Sequence, residues 1–167
     1  MNKVRHVLYA LILSLLLPAA ALASSDGYTP VPPSSNTHPA YITGLTLQDD
    51  SLYLAADYIQ WFEGDEADRV FAEKEPDSGL SRTPNGYYIV NDNPKLRTLK
   101  VSGDAKVLMQ IYNRTGKPGG ADIRWNEEVT PQRFAEILKE EPYLLDYPYH
   151  LVTENGEVVR IVQQYIP

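Results

Sequence analysis

The stretch Pro84–Val107, PNGYYIVNDNPKLRTLKVSGDAKV, constrains the fold more than any other. Tyr87-Tyr88-Ile89-Val90 is aromatic and β-branched, which suits a half-buried pleated surface. Asn91-Asp92-Asn93-Pro94 interrupts it, because Asx side chains bond nearby backbone amides and Pro94 has no N–H to give a ladder. Beyond the break, Leu96, Thr98 and Lys100 share one face of an extended chain, with Arg97, Leu99 and Val101 on the other. Ser102-Gly103-Asp104 then predicts a turn into a further strand, Ala105–Tyr112. Strand, turn, strand, turn, strand leaves no room for a helical domain.

The N-terminus reads differently. Lys3 and Arg5 precede an apolar run from Val7 to Leu17, Pro18 breaks it, and Ala21-Leu22-Ala23 has the small-x-small pattern of a signal-peptidase site. The run is shorter than the roughly 20 residues that span a bilayer. Residues 1–23 are therefore expected to be a cleaved export signal, leaving a secreted chain without a membrane anchor. The signal holds two of the 15 basic residues and no acidic ones, so cleavage takes the net charge from −7 to −9. That charge opposes binding to nucleic acid or anionic lipid. With no cysteine there is neither a disulfide framework nor a site for N-terminal lipid attachment, and packing alone must hold the fold.

Residues 24–39 are rich in Pro and Ser and predict a disordered leader, with His38 solvated. A single domain is expected over residues 40–167. Tyr41–Leu47 and Leu52–Phe62 are strand-like and flank a Gln48–Ser51 hairpin turn. Next comes a short helix, with Asp65 placed to cap its first turn, Ala67, Val70 and Phe71 on one face, and Pro76 as its stop. Asn113–Gly120 is a turn; its Asn-Arg-Thr sequon is explained by turn chemistry. After a short strand at Ala121–Trp125, a second helix has Thr130 as N-cap, Pro131 at its first position, and Phe134, Ile137 and Leu138 as its buried stripe. The chain closes on a hairpin, Tyr149–Glu154 and Glu157–Tyr165, turned by Asn155-Gly156, the preferred pair for a type I′ turn. A strict two-residue loop sets Glu154 against Glu157, so a longer loop is expected.

This order predicts a mainly β or α+β fold. Six to seven strands form a small antiparallel bent sheet or partly open barrel, OB-like in style, with two short helices. An open α+β sheet with both helices on one face is the alternative. The segment Tyr87–Leu99 together with the closing Gln164-Tyr165-Ile166-Pro167 resembles a group of secreted bacterial single-domain proteins without an established activity. The resemblance implies export and single-domain character and carries no site residues across.

Chemistry is more excluded than indicated. One of the three histidines falls in the signal and one in the leader, so only His150 belongs to the domain, and no zinc set, nucleophile elbow, phosphate loop or dinucleotide fingerprint occurs. No metal or cofactor is expected, and His150 reads as a structural or edge residue. Asp57, Glu63 and Asp65 gather near Trp61, and two carboxylates beside an aromatic platform are what a glycosidase uses. Capping and favourable charge at a helix N-terminus account for the same residues. Tyrosine is abundant, and Tyr143, Tyr147 and Tyr149, between Pro142 and Pro148 or next to them, are expected to be partly exposed and to join Trp61 in a binding surface. The reading is a non-enzymatic binding or accessory domain acting on protein or glycan outside the cell, with a carboxylate-dependent hydrolase as the alternative.

Overall fold

The computed structural model describes residues 27–28 and 31–166; the expected export signal lies outside the described residues. The elements are β1 (Thr37–Gln48), β2 (Ser51–Tyr58), β3 (Gln60–Glu63), α1 (Gly64–Lys74), β4 (Tyr87–Val90), β5 (Leu96–Asn113), β6 (Ala121–Val129), α2 (Pro131–Glu140), β7 (Pro148–Glu154) and β8 (Glu157–Gln163). Short 3-10 turns follow each helix, at Pro76–Ser78 and Pro142–Asp146. The six-stranded sheet runs β2-β1-β7-β8-β5-β6, and a further pairing of β2 with β5 closes five strands into a barrel. β5 and β8 are parallel and the other neighbours antiparallel. Numbered along the chain, the five barrel strands close in the order first, second, third, fifth, fourth, a Greek-key barrel of the OB style.

β5 makes this closure possible. Leu96–Lys100 pairs with β2, residues between Lys100 and Leu108 pair with β8, and Val107–Asn113 pairs with β6. The turn expected at Ser102–Asp104 is instead a bend inside one 18-residue strand, marked by a register shift against β8 between Val101 and Lys106. Such irregularities let a strand turn a barrel corner while its hydrogen bonds pass to a new neighbour.

Other expectations change for equally local reasons. β4 pairs with β3, from Gln60↔Val90 to Glu63↔Tyr87, and not with β5. Its connector is tied elsewhere: Asn91 Nδ2 donates to Asp57 Oδ2 (2.7 Å), Lys74 pairs with Asp92 (2.7 Å), and Lys95 N donates to Asn93 Oδ1 (3.1 Å). The run Leu52–Phe62 breaks at Ile59, whose N–H donates to Pro39 O (2.9 Å). That break frees β3 from the barrel, and α1 packs on the β3–β4 ribbon with Phe71 edge-on to Tyr88 (5.5 Å). Asp65 does not cap α1. Glu63 holds the N-cap position without a side-chain bond, and Asp65 is exposed in the first turn. α2 begins as read, with Arg133 N donating to Thr130 Oγ1 (3.1 Å).

At the last hairpin Asn155 and Gly156 have φ of 51° and 84°, the left-handed pair of a type I′ turn. Glu154 does stand opposite Glu157, so the loop is not longer. Lys100 Nζ reaches Glu157 Oε1 at 2.8 Å and offsets the repulsion. The barrel interior is filled by Ile42, Leu54, Val107, Tyr149, Leu151 and Ile161, covered by Phe134, Ile137 and Leu138 of α2.

β1 begins at Thr37, so Thr37–Pro39, read from the sequence as leader, belong to the sheet and face Val152, Leu151 and His150 of β7. His38 is half-buried and does not lie free in solvent: it stacks on Tyr58 with ring centroids 4.7 Å apart, and its Nε2 lies 3.3 Å from Thr153 Oγ1.

Candidate functional site

The β3–β4 ribbon and the N-terminal segment flank the outer side of β7, and a pocket of about 490 Å³ lies between them. Val31, Pro32, Pro33 and Pro39 supply one wall, Trp61 and Phe62 of β3 another, with Glu63 and Glu66 at the start of α1 and His150 and Gln164 completing the lining. Trp61 is held by its neighbours. Its ring stacks on Tyr87 across the ribbon (4.8 Å, 13°) and stands edge-on to His150 (6.4 Å, 82°). The cross-strand register that sets Phe62 and Trp61 against Tyr88 and Ile89 also leaves Tyr87 opposite Glu63, two positions from Trp61 and so on the same face of the ribbon.

Gln164 ties the pocket floor together. His150 Nε2 and the Tyr28 hydroxyl both bond to Gln164 Oε1, and Gln164 Nε2 donates to Tyr165 O (2.8 Å). Burial holds the His150 imidazole below the usual histidine range, opposed by the bond to Gln164 and the charge of Glu63. Burial pushes the Tyr28 phenol well up, and Glu63 adds to the rise. Glu66 is neutralised by Arg69, whose Nε and terminal nitrogen reach its two oxygens at 3.0 and 2.7 Å.

The three carboxylates weighed as a hydrolytic set do not meet in this pocket. Glu63 lines it. Asp65 is exposed on α1 outside the lining. Asp57 lies on β2 in a separate depression with Tyr41, Thr43, Leu145 and Asp146, where Oδ2 accepts from Asn91 and Oδ1 is buried without a partner.

The tyrosines expected to extend the surface are also dispersed. Tyr143 is exposed, and its hydroxyl donates to Glu141 Oε2 (2.7 Å); partial burial and that carboxylate push it up to about 12. Tyr147 is half-buried against the core. Tyr149 is completely buried, not partly exposed: its hydroxyl donates to Leu144 O (3.0 Å) and its ring meets Phe134 edge-on (5.6 Å). The alternation of a strand explains this. With Tyr149 pointing into the barrel, His150 must point out, toward Trp61. His150 is thus on a central strand and not at an edge, and with Gln164 and the proline wall it is the part of the site that sequence reasoning missed. The closing Gln164-Tyr165 pair was the one available signal. Among the described residues no group of three or more His, Asp or Glu is placed to hold a metal ion.

What fold and pocket define is a cysteine-free, closed mixed β-barrel carrying an aromatic and proline-walled pocket outside its core. No protein-family model, curated protein or solved structure matches the chain.

Proposed function

We propose that the chain is a secreted, non-enzymatic binding or accessory domain that engages a protein or glycan outside the cell through the Trp61–His150 pocket. One observation carries the reading. The pocket is sized for a ligand and mostly apolar, and its floor is fixed by the bonds of His150 and Tyr28 to Gln164. A glycosidase of this kind needs two free carboxylates across one cleft; of the two that line this pocket, Glu63 and Glu66, the second is paired with Arg69, and Asp57 and Asp65 lie outside it. Export rests on the Lys3–Ala23 pattern, and the acidic balance argues against nucleic acid as partner.

The test is retention of a partner from cell-envelope and culture fractions, or of a glycan on an array, by the wild-type protein and by Trp61→Ala. Wild-type retention lost in the variant supports the proposal. Absence of any ligand together with turnover of a glycan or peptide substrate would overturn it.

A further inference from the structure

Two side chains of the pocket lining keep unused acceptor atoms, and these narrow the ligand. Gln164 Nε2 is spent on Tyr165 O, which fixes the amide so that Oε1 faces Tyr28 and His150. Oε1 can only accept. His150 therefore carries its proton on Nε2, and Nδ1 is a bare lone pair on a side chain only 4% exposed, with no partner among the described residues. Glu63 is the second acceptor. Its charge reaches both His150 and Tyr28, and it makes no salt bridge among the described residues, whereas Glu66 is spent on Arg69. The adjoining wall is the indole of Trp61, and the face of an electron-rich ring attracts a cation. Val31, Pro33 and Phe62 offer apolar surface to an aliphatic stem.

We infer that the pocket takes one lysine or arginine side chain presented by a partner protein, its cationic head between Glu63 and His150 Nδ1 and its stem along the proline wall. The inference rests on the binding-domain reading above and names its partner chemistry. An anionic ligand meets Glu63 unpaired, and an uncharged sugar leaves that carboxylate desolvated without compensation. A protein segment suits the site better than a free diamine, because the wall beyond Glu63 is apolar (Val31, Pro33 and Phe62) and covers a neutral backbone at lower cost than a second ammonium.

The probe is Nα-acetyl-lysine methylamide, titrated into the mature protein by calorimetry and by the indole N–H resonance of Trp61. Acetyl-norleucine methylamide and 1,5-diaminopentane are the comparison ligands. The lysine compound should bind and shift the Trp61 resonance, the norleucine compound should not bind, and the diamine should bind more weakly than the lysine compound. Glu63→Gln, at an exposed position that leaves the fold intact, should weaken the lysine compound about tenfold, as expected for loss of one charge-assisted bond. Affinity should hold from pH 7.5 down through the ordinary histidine range and fall only below it, where the imidazole that burial holds low takes up its proton. The groups facing His150 are Tyr28, which burial keeps protonated, and Glu63, so protonation of the imidazole removes an acceptor and repels the ligand.

Equal binding of the norleucine compound or an unchanged Glu63→Gln would overturn the cationic assignment. Equally tight binding of the diamine would overturn the protein origin of the cation. Capture of a neutral glycan that Trp61→Ala abolishes would overturn this inference while leaving the binding-domain reading standing.

Discussion

Gln163→Leu should destabilise the barrel more than its small change in volume suggests. Gln163 is completely buried at the end of β8, and its Oε1 accepts from two backbone donors of β5, Gln110 N at 2.8 Å and Ile111 N at 2.9 Å. The parallel ladder between the strands runs out at Leu108↔Val162, and the pairing of β5 with β6 shifts register between Met109 and Ile111. One side-chain oxygen therefore replaces the carbonyls that a regular ladder would supply. Leucine fills a similar volume and accepts nothing. Each stranded N–H costs about 1–3 kcal/mol. Part of that is offset, because Gln163 Nε2 is itself buried without a partner and the substitution removes it. The net expected loss is about 2–4 kcal/mol, against a total of roughly 5–15 kcal/mol for a domain. Urea unfolding reads it directly: the midpoint should fall with the slope unchanged, since the surface exposed on unfolding is the same. A loss below about 1 kcal/mol would refute the argument that this oxygen holds the two strands together.

Removing residues 24–39 should destabilise the protein by about 2–3 kcal/mol, because Asn36 O and Pro39 O accept from Thr153 N and Ile59 N and both bonds go with the segment; equal melting of the 24–167 and 40–167 polypeptides would contradict the sheet assignment of Thr37–Pro39. Burial, with Arg97 beside the first of them, holds His38 and His150 below their ordinary range, so the unfolded chain takes up protons first. Stability should be full above about pH 6.5 and decline as pH falls through the lower folded values, and His38→Asn with His150→Asn should flatten urea midpoints measured from pH 7.5 to 5.5. Millimolar calcium or a chelator should leave the melting temperature unchanged, since in the Asn91–Asn93 turn Asp92 is paired with Lys74 and Asn91 with Asp57; a rise of several degrees with calcium would show that this turn binds the ion.

Local signals were legible in the sequence because their causes are local. The Thr130 cap, the Asn155-Gly156 turn, the stripe of α2 and the alternation Leu96–Val101 each depend on a few adjacent residues, and each is where the pattern put it. Barrel-like β architecture followed from their order. Partnership did not. Nothing in Tyr87–Val90 states that it pairs with Gln60–Glu63, and nothing in Ser102–Asp104 separates a turn from a bend, because both outcomes depend on which strands compete for the same backbone groups. The site follows the same rule. Asp57, Glu63 and Asp65 are near one another in sequence, but a break at Ile59 sends Asp57 to the barrel and Glu63 to the ribbon. Trp61, His150, Gln164 and Val31–Pro33 are remote in sequence, and only closure of the sheet around β7 brings them together. Tyr149 and His150 are adjacent in sequence and face opposite sides of β7 in the structure. Which of two neighbours faces the core is set by strand register, and register is fixed by the packing of the whole barrel.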